Sequence, residues 1–117
     1  MSPIIPTIFA TSKKQFDKRF KKILPLSKSI QIDVMDGKFV NSKSISISQV
    51  PKLNNYKNSF EAHLMLYHPE KYLKLLKNKG FNKIIFHIET ANYPNELIEK
   101  IKEFKLKVFI AINPETK

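Results

Sequence analysis

Polar side chains that can bind a cation or move a proton recur within short apolar segments of the sequence. Gln31 and Asp33 lie within one such segment, 30–34, and His63 lies within another, 60–64. Successive side chains of a strand point to opposite faces, so Gln31 and Asp33 are predicted to share one face. A carboxylate and an imidazole on neighbouring strands could hold a metal ion or transfer protons.

Each of these residues also has an ordinary structural explanation. A histidine within an apolar segment is more often a hydrogen-bonded structural residue, and this applies to His63 and to His87 alike. Asp36, which precedes a glycine, is typical of a carboxylate that caps the following turn. Asp33 differs, because a carboxylate inside an apolar strand is costly to bury unless it is paired or bound to a cation.

The elements that must position these residues are strands that alternate with helices. Apolar segments of strand length are 4–9, 30–34, 60–64, 83–88 and 107–112. Such an alternation implies βαβ units and a parallel sheet with right-handed crossovers. Active sites of parallel α/β sheets lie at the carboxyl ends of the strands, where the polar residues of this sequence are concentrated.

Three helices are predicted from apolar residues at helical spacing. The first follows Ser12, which is expected to form a capping box with Gln15. The second begins at Pro69 and is expected to stop at Gly80 in the left-handed conformation, and the third begins at Pro94. The connection from 37 to 58 is polar and irregular, so a helix there is predicted to be short or absent.

Composition limits the classes of protein to consider. The chain has 117 residues, enough for one domain, and contains no cysteine, which excludes disulfides, thiolate metal sites and a cysteine nucleophile. No apolar stretch approaches the ~20 residues of a membrane span. A cytoplasmic protein without a membrane partner is therefore expected.

The net charge of +11 is also typical of nucleic-acid-binding proteins. However, Arg19 is the only arginine, and the lysines are spread over every predicted helix instead of forming one stripe. We interpret most of them as solvated outer faces and expect no nucleic-acid partner. A modest preference for anionic small molecules is compatible with this charge.

Five short motifs, each at a predicted strand, occur in one order along the chain. They are P-T-I-F at 6–9, I-D-V-M-D-G-K-F-V at 32–40, A-H-L-M at 62–65, F-H-I-E at 86–89 and A-I-N-P-E-T at 111–116. In this order they resemble the motifs of the ribulose-phosphate 3-epimerase family. The resemblance implies an α/β fold, a TIM-type (β/α)8 barrel of which residues 1–117 form the N-terminal portion, with about five parallel strands and no second domain.

The resemblance also implies an activity, which is isomerisation of a sugar phosphate, D-ribulose 5-phosphate to D-xylulose 5-phosphate, by proton removal and return at C3. It implies that Asp33 is an acid/base group and a metal ligand and that His63 is a metal ligand. Met35, Met65 and Asn113 are expected to contact the substrate or line the metal pocket. The implied cofactor is a divalent cation, which is Zn²⁺, Fe²⁺, Mn²⁺, Co²⁺ or Mg²⁺.

The sequence departs from the family pattern at several positions. Gln31 occupies the position of a metal-binding histidine, and a glutamine oxygen is a weaker ligand than imidazole for Zn²⁺ or Fe²⁺ although Mg²⁺ and Mn²⁺ tolerate it. Ala10 replaces a substrate-contacting serine, and Asn41-Ser42 replaces a Pro-Asn pair. The second catalytic aspartate and the phosphate-binding glycines belong in the family to strands six to eight, so residues 1–117 alone are expected to be inactive.

These observations leave three hypotheses open. The first is an epimerase, in which Asp33, His63 and Gln31 form the metal side of the site. The second is a non-catalytic or altered paralogue that binds a sugar phosphate, which Gln31 and Ala10 suggest. The third is a basic nucleic-acid-binding module, which would require the lysines to cluster on one face. Strands one and five are expected to have open edges, in a longer protein or in a half-barrel that dimerises.

Overall fold

One parallel sheet organises the chain. The structure, a computed structural model, describes residues 5–113. Its five strands are all parallel, and their order across the sheet equals their order along the sequence. The strands are β1 (Thr7–Ile8), β2 (Ser29–Met35), β3 (Ser59–Met65), β4 (Lys83–His87) and β5 (Lys107–Ala111). The predicted α/β class is confirmed, and the sheet is consistent with part of a TIM-type barrel.

Three α-helices connect the strands in the described part of the chain: α1 (Lys13–Ile23), α2 (Leu73–Lys79) and α3 (Pro94–Glu103). Ser12 caps α1 as predicted, because its hydroxyl oxygen accepts from the N–H of Gln15 at 3.1 Å. The reciprocal half of the predicted capping box is wrong, since the Gln15 side chain accepts from the N–H of Thr11 at 2.9 Å. Gly80 stops α2 at φ 101°, as predicted.

The connection between β2 and β3 contains no α-helix, which agrees with its irregular sequence. Two 3₁₀ turns, Ile47–Gln49 and Leu53–Asn55, take the place of a helix. Four apolar side chains of this segment are nevertheless fully packed into the core: Ile45, Ile47, Val50 and Leu53. This segment therefore covers its part of the sheet with individual buried apolar side chains instead of the apolar face of an amphipathic helix.

The first strand is shorter than predicted. Only Thr7 and Ile8 pair with β2, whereas the prediction began at Ile4, which lies outside the described residues. Proline at position 6 has no N–H to donate, and the carbonyl of Ala10 turns away to accept from the N–H of Ile45 at 3.0 Å. The length of β1 is therefore limited at both its N-terminal and its C-terminal end.

The last two strands end one residue earlier than predicted. Ile88 begins a 3₁₀ turn, Ile88–Thr90, instead of extending β4, and Ile112 follows the end of β5. The remainder of the fifth predicted motif, 114–116, lies outside the described residues.

The hydrophobic core lies between the helices and one face of the sheet. Neighbouring residues of adjacent strands form its floor, among them Ile32, Ala62 and Ile84, which are paired in register and almost completely buried. The helices contribute Phe16, Phe20, Leu73, Leu76, Leu97 and Ile101. Within residues 5–113, no helix is long and apolar enough to cross a membrane. The other face of the sheet carries the polar residues singled out in the sequence.

Candidate metal and proton-transfer site

The structure brings Gln31, Asp33 and His63 together on the face of the sheet opposite the helices. Asp33 pairs in register with His63 on the neighbouring strand, and Asp33 Oδ1 lies 3.2 Å from His63 Nδ1. Gln31 Nε2 lies 3.3 Å from the same ring nitrogen and 3.5 Å from the same carboxylate oxygen. The three side chains thus form a triangle of polar atoms around one edge of the imidazole.

The dimensions of this triangle fit a bound cation. Bonds of about 2.0–2.2 Å to one ion place neighbouring donor atoms about 2.8–3.6 Å apart. A half-turn of the Gln31 amide puts its oxygen, the ligand atom, where Nε2 lies. Among residues 5–113, no three His, Cys, Asp or Glu side chains form a metal-binding group. After that half-turn, the Gln31 oxygen would be the third donor available to a cation at this triangle.

His87 extends the site from the end of β4. Its Nε2 lies 2.9 Å from Nε2 of His63, and the two rings stack with centroids 5.0 Å apart. The other nitrogen of His87, Nδ1, is buried and lies 3.8 Å from Oε1 of Glu89. The N–H of Asn113 donates to the second oxygen of Glu89 at 3.1 Å, which orients that carboxylate.

The environment of His87 favours a neutral ring. Burial lowers the pKa of His87 below its usual value, and the neighbouring His63 lowers it further. Glu89 and the side chain of Asn113 oppose this shift without cancelling it. At neutral pH His87 therefore has one protonated and one unprotonated nitrogen.

The sequence indicates His87 as a candidate residue but does not predict its contact with His63. In the register His63 pairs with Ile85, so His87 stands one layer further along its strand. The alternation of side chains does place Ile85 and His87 on one face. What the sequence does not contain is the inclination of the rings, through which His87 reaches back to His63.

Two methionines and a loop close the carboxyl end of the site. Met35 and Met65 are partners in register at the ends of β2 and β3, and both are half-buried. The ring of Phe39, in the loop after β2, lies 5.2 Å from that of His87 and 5.5 Å from that of Tyr67. The Phe39 ring thus covers His87 with an apolar side chain.

Asp36 has the turn-capping role predicted for it and also links two loops. Its Oδ1 accepts from the N–H groups of Lys38 and Phe39 at 2.8 and 2.9 Å. Its Oδ2 accepts from the N–H of Tyr67, in the loop after β3, at 2.9 Å. Partial burial raises the pKa of Asp36, but these backbone donors outweigh it and lower the pKa below its usual value. The carboxylate thus holds in place the loop that carries Phe39.

A second polar layer lies toward the amino end of the same face. Glu61 is buried and its carboxylate is 3.5 Å from the ammonium of Lys83. The same ammonium lies over the ring of Phe109, 4.6 Å from its centroid. This pairing was not predicted, and it satisfies the charge of a carboxylate that would otherwise be costly to bury.

A parallel α/β sheet in sequential strand order, with a carboxylate and imidazoles on the face opposite the helices, is consistent with part of a (β/α)-barrel enzyme. Within this class the chain belongs to the ribulose-phosphate 3 epimerase family, whose model matches residues 3–117. The family suggested by the five motifs is thereby confirmed.

Curated relatives named ribulose-phosphate 3-epimerase agree with this membership. The protein from Schizosaccharomyces pombe is 28% identical over 97% of this chain and 52% of its own length. Those from Chlamydia trachomatis serovar D and Methanocaldococcus jannaschii are 34% and 33% identical over 74% and 73% of this chain. The chain spans 38% and 36% of the lengths of these two relatives. The matched region is therefore about half, or less than half, of each relative.

Proposed function

We propose that this chain carries the N-terminal part of the active site of a ribulose-phosphate 3-epimerase, which interconverts D-ribulose 5-phosphate and D-xylulose 5-phosphate. The observation that carries the proposal is the contact between Asp33 and His63 on adjacent strands, within the segments that resemble the family motifs. Both side chains are largely buried, with 14% and 22% of their surface exposed. A buried carboxylate beside an imidazole suits an acid/base group next to a cation.

In this proposal Asp33 removes or returns the proton at C3 on one face of the sugar. His63 and Asp33 hold a divalent cation together with the Gln31 oxygen, and the cation, when bound, supplies Lewis-acid stabilisation of the enediolate charge. Met35 and Met65 exclude water beside the reacting carbon, and Asn113 contacts the substrate. The apolar surroundings strengthen every electrostatic interaction at the site.

The donor set supports a preference among metals. With an imidazole nitrogen, a carboxylate oxygen and an amide oxygen, the site is richer in oxygen than one with two imidazoles. Oxygen ligands suit Mn²⁺ and Mg²⁺, whereas imidazole favours Zn²⁺ and Fe²⁺. We therefore propose Mn²⁺ or Mg²⁺ as the cofactor, and we expect Gln31→His to shift the preference toward Zn²⁺ and Fe²⁺.

The proposal extends to the whole protein. Residues 1–117 would form the N-terminal portion of one barrel domain, and further strands, from a longer chain or a second copy, would cover the polar face. Such an enzyme would act in the pentose phosphate pathway in the cytoplasm. Because inversion at C3 needs a second acid/base group on the opposite face, we expect residues 1–117 alone to show no turnover with Mn²⁺, Zn²⁺ or Fe²⁺.

A second function, an altered paralogue that binds a sugar phosphate without converting it, is favoured by one observation. Gln31 stands where the family motif has a metal-binding histidine, and it lies in the triangle around His63. If its oxygen binds a cation too weakly, the substrate would still bind but proton transfer would fail. The two functions differ in turnover and not in binding.

A hybrid enzyme separates these functions. Residues 3–117 would replace the matching part of the Schizosaccharomyces pombe relative, and conversion of ribulose 5-phosphate would be followed with Mn²⁺. We expect turnover, and we expect Asp33→Asn to lower it about 10²- to 10⁴-fold, because a positioned acid/base group is lost. Asp17→Asn is the matched control, since it changes an exposed carboxylate on α1 that pairs with Lys13.

Two results would count against the epimerase. A folded hybrid that binds the sugar phosphate but gains turnover only with Gln31→His would indicate the altered paralogue. Equal losses in Asp33→Asn and Asp17→Asn would show that Asp33 has no special part in proton transfer.

A further inference from the structure

Four side chains form one continuous row of polar atoms across three strands. Gln31 Nε2 lies 3.3 Å from His63 Nδ1, and His63 Nε2 lies 2.9 Å from His87 Nε2. His87 Nδ1 then faces Oε1 of Glu89 at 3.8 Å. A neutral imidazole has one N–H and one bare nitrogen, so the direction of one hydrogen bond in the row fixes the direction of the others.

The first possible direction places the proton of His63 on Nε2. The amide N–H of Gln31 then donates to the bare Nδ1 of His63, and His63 Nε2–H donates to His87. His87 in turn carries its proton on Nδ1, where it faces the carboxylate of Glu89. Every donor in the row points at an acceptor, and the one encounter between acceptors is that of the bare His63 Nδ1 with Asp33 Oδ1 at 3.2 Å, the pair that a cation would bridge.

The opposite direction places the proton of His63 on Nδ1. That proton is well placed toward Asp33 Oδ1 at 3.2 Å, and the Gln31 amide must then turn its oxygen toward the ring. The proton of His87 must then lie on Nε2, so its bare, buried Nδ1 faces the carboxylate of Glu89. Each direction therefore contains one encounter between two acceptors, and in this direction it is the buried one, between His87 Nδ1 and Glu89, where it is most costly.

We propose that His87, backed by Glu89, is a positioning residue that holds His63 with its proton on Nε2 and with a bare Nδ1 directed at Gln31 and Asp33. This tautomer is the one that a cation in the triangle requires, because the ligand nitrogen must be unprotonated. A partner that fixes the ring orientation and tautomer of a ligating histidine typically contributes 10- to 100-fold in metal affinity. The expected effect of His87 on metal affinity rests on the proposed function, whereas the tautomer assigned to His63 does not depend on it.

The tautomers can be measured directly without metal. The chain contains three histidines, at positions 63, 68 and 87, so single His→Gln variants assign the ring signals of a ¹⁵N-histidine-labelled sample. We expect long-range ¹H–¹⁵N spectra at pH 7.5 to show a protonated Nε2 for His63 and a protonated Nδ1 for His87. A protonated Nδ1 on His63 would overturn the proposal, whatever the protein does with substrate.

Two substitutions of His87 separate hydrogen bonding from packing. In His87→Gln the side-chain oxygen can still accept from His63 Nε2–H, whereas His87→Leu fills similar space without an acceptor. We expect Mn²⁺ affinity, measured by electron paramagnetic resonance, to fall about 10- to 100-fold in His87→Leu and much less in His87→Gln. Equal losses in the two variants, with unchanged thermal unfolding of the metal-free proteins, would contradict the positioning role.

Glu89→Leu tests the far end of the row. Without the carboxylate, the side chain of Asn113 is the remaining polar group besides His63 that acts on His87, and we expect the His63 signals to shift toward a mixture of both tautomers. An unchanged His63 spectrum in Glu89→Leu would remove Glu89 from the proposal. If the unsubstituted chain shows the expected tautomers but binds no Mn²⁺, the inference about His87 stands and the proposed metal function fails.

Discussion

The two faces of the sheet differ in what their residues contribute. On the face under the helices, Ile32, Ala62 and Ile84 are at most 1% exposed and neighbour one another in register. On the opposite face the same strands present Asp33 and His63, and Phe109 is 54% exposed. Stability therefore comes mainly from one face, which leaves the other free to hold polar groups that a well-packed core would exclude.

The largest difference between the faces should appear when a phenylalanine is removed from each. Phe60 is fully buried, with its ring 5.9 Å from that of Phe20, so we expect Phe60→Ala to lower the free energy of unfolding by about 3–5 kcal/mol. Phe109→Ala, on the open face, should cost about 1 kcal/mol or less, because much of its ring is already in water. Urea unfolding followed by circular dichroism measures both.

Similar losses in these two variants would break the comparison. They would mean that Phe109 is covered in solution, for example by a second copy of the chain. Sedimentation velocity of the unsubstituted protein, run in parallel, would then show a species larger than a monomer.

The two glycines sharpen the comparison at the level of the backbone. Gly80, behind the helix-covered face, has φ 101°, and an added Cβ would lie 2.7 Å from the backbone nitrogen of Asn54. Gly37, in the loop over the open face, has φ 76°, but its nearest neighbour would be a lysine side chain at 3.4 Å. We expect Gly37→Ala to cost about 1–2 kcal/mol for the left-handed conformation alone, and Gly80→Ala to cost more because backbone must also move.

Thermal unfolding ranks these two variants. We expect Gly80→Ala to unfold at a lower temperature than Gly37→Ala. The reverse order would mean that the segment containing Asn54 moves at little cost in free energy. Such a result would mean that the backbone on the helix-covered side adjusts more readily than the loop over the open face.

The smallest expected effect concerns acid. The pKa of Asp36 is lowered in the folded protein, so its contribution to stability is present above its usual value of 3.8 and is lost as the pH falls through the folded value. We expect Asp36→Asn to lower the free energy of unfolding by about 1 kcal/mol or less at neutral pH, since solvent screens this partly exposed group. The difference between the two proteins should shrink below pH 3.8.

Urea titrations at several pH values measure this difference. A gap between the two proteins that stays constant from neutral pH down to acid would show that the carboxylate charge is not what holds the two loops. Ser42→Ala, at an exposed and non-ionisable position in the loop after β2, serves as a control that should show no such trend.

The part of this site that depends on the alternation of side chains along a strand could be predicted from the sequence. The part that depends on the shape of the sheet could not. Period-two spacing placed Gln31 with Asp33, and neighbouring strands in order brought His63 to them. The contact between His63 and His87 depends on how rings lean between layers, for which no spacing in the sequence is diagnostic. The shortened β1 has a similar cause, because the carbonyl of Ala10 is captured by a distant loop.

The order of the strands has a consequence for how the chain gains and loses structure. Each strand pairs only with the strands before and after it in sequence, so every unit can dock on the one already formed, and the chain can fold progressively during synthesis. β3 is flanked on both sides along its length, whereas β1 contributes two residues at an edge. In native-state hydrogen exchange the amides of β3 should open only with global unfolding, and those around β1 should open at much lower free energy.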